Sequence, residues 1–197
     1  SEAAERLFRW LRLNQWIAIK SVGWVPLTIY DKTQWNRPEW EGLNVIARRK
    51  AVRAYLREKR CYGGLDLSKS TDLTAFVLLF PPQEGLETWV VLFWAWVPLE
   101  DLQARETRDG VPYGDWIRAE FLQGCPGDII DYDAVEQTIW EAARDFDLVT
   151  LGLDPALSWT LSQRLMQGTE EQEGLEVIEI SQTMMGMSPA TKQVELL

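Results

Sequence analysis

A chain of 197 residues with 46% hydrophobic content is long enough to bury one substantial core, so one domain with an appended arm is expected. The net charge of −10 and pI near 4.6 argue against a protein that coats nucleic acid through a broad excess of Lys and Arg, and they suit a site built from carboxylates. The absence of histidine excludes Ser-His-Asp and Cys-His catalysis and most zinc sites, leaving carboxylates, lysine, hydroxyls or a metal ion.

Cys61 and Cys125 are isolated in strand-like contexts, supply neither a zinc quartet nor a disulfide framework, and point to a reducing compartment. No signal peptide is evident, and the longest apolar run, around residues 88–99, is too short to span a bilayer, so a soluble protein with no membrane partner is expected. The 11 tryptophans are scattered, several in apolar runs, and most are expected in the core or at an interface.

Near the N-terminus, Ala3, Leu7, Trp10 and Leu11 recur at helical spacing, which predicts a short amphipathic helix over 2–12. Residues 21–40 are irregular, with Gly23, Pro26 and Pro38 among Trp24, Trp35 and Trp40, and read as an arm. Residues 47–60 then carry seven basic side chains against one acid, Glu58, which leaves 13 basic and 29 acidic residues elsewhere. On a helix, Arg49, Arg53, Arg57 and Arg60 would form one stripe. Such a stripe suits the tracking of a phosphate backbone, or else a solvated face paired with the acidic remainder.

Residues 61–80, CYGGLDLSKSTDLTAFVLLF, read as strand, turn and strand, with Asp66 delivered from a buried strand into a polar turn. One explanation is a β-hairpin whose Asp66 and Asp72 cap the turn. A third strand, 89–97, is apolar on both faces and therefore expected to be central in its sheet. Short helices are expected over 99–107 and 113–122, then a break at Gly124 to Gly127, a short strand over 128–131, and a helix over 134–145 capped by Asp133. Residues 148–153 form a strand ending at Asp154 and Pro155, 158–166 a helix stopped at Gly168, and 175–180 a further strand. A last helix opens at Ser188 with Pro189 in its first turn. The order β-β-β-α-α-β-α-β-α-β-α predicts an α/β fold with an antiparallel meander followed by parallel strands.

Asp66 and Asp154 both fall at the C-terminal ends of buried-looking strands, where open α/β sheets gather functional groups. Two adjacent carboxylates repel unless a cation lies between them, and oxygen ligands suit Mg²⁺ or Mn²⁺. In phosphodiester chemistry such ions activate water and stabilise the leaving oxygen, often as a pair about 3.5–4 Å apart. The competing reading has Asp154 cap the following helix or turn with Pro155.

Several separated motifs in one order, LRLNQW, GGLDLSKSTDLTA, PGDIIDYDAVEQTI, LGLDPA and ISQTMMGMSPATKQVE, resemble the nuclease half of the tailed-bacteriophage terminase large subunit over nearly the whole chain. The resemblance implies a ribonuclease H-like mixed sheet flanked by helices and a two-metal endonuclease that cuts concatemeric viral double-stranded DNA into genome units. It makes Asp66 and Asp154 the metal carboxylates, ligands for two Mg²⁺ or Mn²⁺ ions, and Asp72 a supporting acid, while Asp131 and Asp133 are read as strand-end and capping residues. Arg49, Arg53, Arg57, Arg60 and Lys69 are the DNA-binding candidates.

The expected organisation is a helix and linker arm over 1–40 from a preceding ATPase domain, a basic helix over 41–60, and a truncated nuclease domain over 61–197. No GxxxxGK[ST] phosphate loop occurs, so no ATP site is assigned. The family's third metal aspartate is expected beyond Leu197, which would leave the isolated fragment inactive. Implied partners are DNA, the ATPase domain of the same full-length chain, the portal protein and the small terminase subunit, in the host cytoplasm at the procapsid portal. Alternative readings are a non-catalytic module that binds DNA or portal, and a ribonuclease H-like nuclease acting on junctions or RNA hybrids.

Overall fold

In the computed structural model, residues 30–70 and 72–195 are described. The helix expected over 2–12 and the first part of the 21–40 arm lie outside them. The chain divides into two compact units, Ser1–Glu41 and Gly42–Leu197. The described part of the first unit contains two single 3₁₀ turns, Asp31–Thr33 and Pro38–Trp40. Between them the Trp35 and Trp40 rings meet edge to face at 4.9 Å, and the Arg37 guanidinium lies 5.7 Å from the Trp40 ring centroid.

The second unit opens with helix α1 (Val45–Tyr55), whose N-cap Asn44 accepts a hydrogen bond from the Ala47 N–H at 2.9 Å. Strands β1 (Arg60–Asp66), β2 (Thr74–Phe80) and β3 (Val90–Pro98) follow as an antiparallel meander. Helices α2 (Leu102–Asp109) and α3 (Tyr113–Arg118) lead to β4 (Gln123–Cys125), and α4 (Tyr132–Asp145) leads to β5 (Asp147–Leu153). Helix α5 (Pro155–Gln167), strand β6 (Val177–Glu179) and helix α6 (Met184–Glu195) complete the order. The strands form one mixed sheet in the order β4-β3-β2-β1-β5-β6, with β4, β5 and β6 each parallel to its neighbour. It is the ribonuclease H-like α/β arrangement that the resemblance implies.

Alternation along the meander sorts side chains between two faces. Cys61, Leu65, Phe76, Leu78, Phe80, Val90, Trp94 and Trp96 are buried, whereas Tyr62, Leu79, Val91 and Phe93 remain partly open. Val135, Ile139 and Ala142 of α4 are fully buried, and Phe146 at its end meets Phe80 edge to face at 5.2 Å. A smaller cluster of Val97, Tyr113 and Leu122, with Leu73 and Ala95 packed against it, seats α2 and α3 beside the end of β3. Cys61 and Cys125 are both buried free thiols, and burial, with the Asp147 charge adding to it, pushes the Cys61 pKa up to about 12. Neither is a nucleophile. Among the described residues no helix is long and apolar enough to cross a membrane.

Several expectations are corrected. Strand β3 is second from the edge rather than at the centre, because β4 alone lies outside it, paired with its last three residues. The short strand is Gln123–Cys125 and not 128–131. Pro126 lacks an N–H for a ladder and Gly127 turns the chain with φ 89°, so pairing ends before Asp128. Asp131, not Asp133, caps α4, its Oδ1 accepting from the N–H groups of Asp133 and Ala134 at 3.0 and 3.2 Å. Asp133 instead accepts from the Arg164 guanidinium at 3.1 Å.

Helix α5 begins at Pro155 rather than residue 158, since proline has no N–H to waste at the first helical position. The last helix begins at Met184 and contains Pro189, because the Thr183 hydroxyl already accepts from the Gly186 N–H at 3.2 Å and caps it there. The tryptophans also divide: Trp94, Trp96 and Trp140 are buried, but Trp89, Trp116 and Trp159 are exposed.

Candidate metal centre

Strands β1 and β5 run parallel with Leu65 opposite Leu153. One step further along each is an aspartate, Asp66 as the last residue of β1 and Asp154 directly after β5. Hydrogen-bonded strands lie about 4.8 Å apart, so the two acids emerge side by side at the same end of the sheet. Asp66 is exposed and Asp154 half-buried. The Ser158 hydroxyl donates to the Asp154 carbonyl, fixing the first turn of α5 immediately behind the carboxylate.

The turn after Asp66 is held from several sides. The Ser68 N–H donates to Thr74 Oγ1 at 2.9 Å, and the Ser68 hydroxyl donates to the Asp72 carbonyl at 2.6 Å. From outside the hairpin, the Tyr132 hydroxyl donates to the Ser68 carbonyl at 3.0 Å, the Ile130 N–H to the Lys69 carbonyl at 3.2 Å, and Arg105 to the Ser70 carbonyl at 2.5 Å. These bonds give Asp66 a fixed backbone platform.

On its other flank a cleft of about 460 Å³ is lined by Asp154, Glu179, Ser181, Gln182 and Thr183. Glu179 is the last residue of β6 and pairs with Leu153, so a third parallel strand brings its end to the same edge. Gln182 Nε2 donates to Asp66 Oδ1 at 3.3 Å. The sequence reading missed both residues, although the strand-end argument applied to Asp66 and Asp154 extends to V-I-E-I-S-Q-T.

Gly152 sets the position of this flank. A Cβ there would stand 2.2 Å from Ile180 Cδ1, and the Ile180 N–H donates to the Leu153 carbonyl at 2.8 Å. Gly152→Val is therefore expected to displace the Ile180 side chain from the end of β5. Loss of about 1–3 kcal/mol of stability in denaturant titration checks the overpacking.

Of the remaining candidates, Lys69 and Asp72 lie in the turn after Asp66 and the arginines lie elsewhere. Asp72 is exposed, and its charge reaches Arg108 on α2. The Arg108 pKa is raised first by its hydrogen bond to Asp109, then by the Asp109 charge and more weakly by Tyr113 and Asp72. Lys69 is exposed on the hairpin turn, at the carboxylate end of the sheet.

The expected stripe of arginines does not form on one helix, because α1 ends at Tyr55 and Arg60 already belongs to β1. Arg49 donates to the Phe93 carbonyl at 3.0 Å and to the Glu120 carbonyl at 2.5 Å, between the Phe93 and Phe121 rings. Burial, with Arg53 nearby, lowers the Arg49 pKa. Arg53 and Arg57 pair with Asp145 at 3.1 and 3.7 Å, and Arg60 pairs with Asp147 at 3.5 Å. Arg60 lies at the start of β1 and Asp66 at its end, about 20 Å apart at 3.3 Å per residue.

Over 139 residues, 71% of its length, the chain is 33% identical to the terminase large subunit of Enterobacteria phage HK97. The crystal structure of the HK97 bacteriophage large terminase superposes with a TM-score of 0.59 at 30% identity, over 76% of this chain. The two matches support a phage terminase large-subunit domain. The chain covers 27% of the HK97 terminase sequence and 31% of the solved HK97 chain. No protein-family model matches it.

The donors of this terminase domain suit a hard cation. Asp66, Asp154 and the cleft oxygens offer no nitrogen or sulfur ligand, and Mg²⁺ is commonly held by one or two carboxylates with water completing six-fold coordination. Among the described residues, no group of three or more acidic or cysteine side chains is placed to hold a metal ion.

Proposed function

We propose that this domain is a metal-dependent endonuclease that cuts concatemeric phage DNA during genome packaging. One observation carries the reading: Asp66 and Asp154 lie next to each other at the C-terminal ends of parallel neighbouring strands. Its likeness to the HK97 terminase large subunit supports the packaging context.

Asp66 and Asp154 would hold Mg²⁺ or Mn²⁺, as two ions in the full site, which supply a water nucleophile at neutral pH and stabilise the leaving oxygen of the phosphodiester. The protein's part is positioning: the clamped hairpin turn holds Asp66, and the first turn of α5 holds Asp154. Lys69, exposed at this end, is assigned to a backbone phosphate of the bound duplex. Asp72 acts on the site through the shape and charge of the turn.

Arg49 and Arg53 are committed to carbonyls and to Asp145. The more exposed Arg57 and Arg60 would meet DNA only where a duplex extends to the far end of the sheet. The working partners are double-stranded DNA, an ATPase domain of the same full-length chain, the portal and the small terminase subunit, in the host cytoplasm at the procapsid.

Supercoiled plasmid incubated with the full-length terminase and Mn²⁺ or Mg²⁺ is expected to be nicked and linearised, and chelation should stop the reaction. Cutting that persists in excess chelator would overturn the metal assignment.

A further inference from the structure

We infer that Gln182 is a positioning residue that fixes the rotation of the Asp66 carboxylate for the cation, an assignment that rests on the metal site proposed above. Its Nε2 donates to Asp66 Oδ1 at 3.3 Å across 116 residues of sequence. An ionised carboxylate only accepts, so the amide nitrogen is the end of Gln182 that faces it.

The same residue lines the cleft that Asp154 also lines. It is neutral, and it occupies one Asp66 oxygen without adding a third negative charge to two neighbouring carboxylates. The second oxygen of Asp66 is left to a cation. A side chain that restrains a metal ligand in this way typically accounts for 10–100-fold in metal affinity or activity.

The backbone around Gln182 is fixed on both sides, as positioning requires. Upstream, the Ile180 N–H is bonded to the Leu153 carbonyl at 2.8 Å, and Ile180 covers Gly152. Downstream, the Ser181 hydroxyl donates to Thr183 Oγ1 at 3.2 Å, and Thr183 caps α6. Gln182 thus ties the end of β1 to the segment joining β6 and α6.

The test is calorimetric titration of Mn²⁺ into the chain and into Gln182→Met and Gln182→Ala, with thermal unfolding of each. Methionine keeps the length and volume of the side chain and removes the donor. Both variants are expected to bind Mn²⁺ about 10-fold more weakly, with the unfolding midpoint unchanged. Affinities within twofold of the parent would overturn the inference, as would weakening in Gln182→Ala alone, which would mean the residue fills space. A raised KM for plasmid cleavage by the full-length terminase carrying the same substitutions, with unchanged Mn²⁺ affinity, would make Gln182 a DNA contact instead and equally overturn it. If the parent chain binds no Mn²⁺, the metal reading falls together with this one; if it binds and the variants match it, only the role of Gln182 falls.

Discussion

Asp66→Ala is expected to reduce Mn²⁺-dependent plasmid cleavage by the full-length terminase on the order of 10³-fold. A metal-bound water and a stabilised leaving oxygen contribute several kcal/mol to a phosphodiester transition state, and about 4 kcal/mol corresponds to that factor. The loss should come without unfolding, because Asp66 is exposed at the end of its strand and surface substitutions usually change stability by no more than about 0.5 kcal/mol. Asp66→Asn separates charge from shape: it keeps the volume and loses the formal charge, and should be as inactive as alanine. Asp72→Ala is the internal contrast. Its charge reaches Arg108 on α2, and it should lose less than 10-fold. Rates for Asp66→Ala equal to the parent's would remove Asp66 from the site, whatever the chain's family.

Where the chain carries its own periodicity, the sequence was a sufficient guide. The eleven elements from β1 to α6 occur in the predicted order, because the two-residue alternation of T-A-F-V-L-L-F and the apolar face of α4 are local properties. Boundaries failed where a single backbone feature decided them. Thr183 moved the start of the last helix four residues earlier by capping it, and Pro155, as the first helical residue, moved that of α5 three residues earlier. The short strand shifted to Gln123–Cys125 because what defines it is the partner, Trp96 to Pro98, and a three-residue run has no periodicity of its own.

The site was legible in part for a related reason. Asp66 and Asp154 follow recognisable strands, so a rule about strand ends found them before their register was known. Glu179 ends and Gln182 follows a strand of only three residues, Val177–Glu179, and both became visible once β6 was paired to β5. The arginines misled in the opposite direction. Helical spacing from Arg49 to Arg60 is a true property of the sequence, but the helix stops at Tyr55, and Asp145 and Asp147 draw the later arginines to the far end of the sheet.

Phe76→Ala is expected to destabilise the domain by about 3–5 kcal/mol, a large part of the 5–15 kcal/mol that holds a typical domain together. Phe76 is fully buried in β2 and stacks on Trp94 of β3 at 5.2 Å. It is also one of the nearest atoms to Gly63, where a Cβ would stand 2.7 Å from Leu151 Cδ1 and 3.5 Å from the Phe76 ring. Three strands therefore close around this ring, and little can move in to fill the space it leaves. For a domain of this size the loss corresponds to a fall of roughly 6–20 °C in Tm. Phe76 lies opposite Leu65, one residue before Asp66, so the variant also asks whether the site depends on the core for its geometry or only for its population. The platform of turn bonds is anchored at Ser68, Lys69 and Ser70 and not at Phe76. At a temperature where Phe76→Ala is still folded, its Mn²⁺ affinity is accordingly expected to stay within about threefold of the parent's, while denaturant unfolding shows the lower midpoint with an unchanged slope. A destabilisation below 1 kcal/mol would mean that the sheet repacks over the cavity. A full destabilisation accompanied by lost metal affinity would mean that the orientation of Asp66 is set through β2.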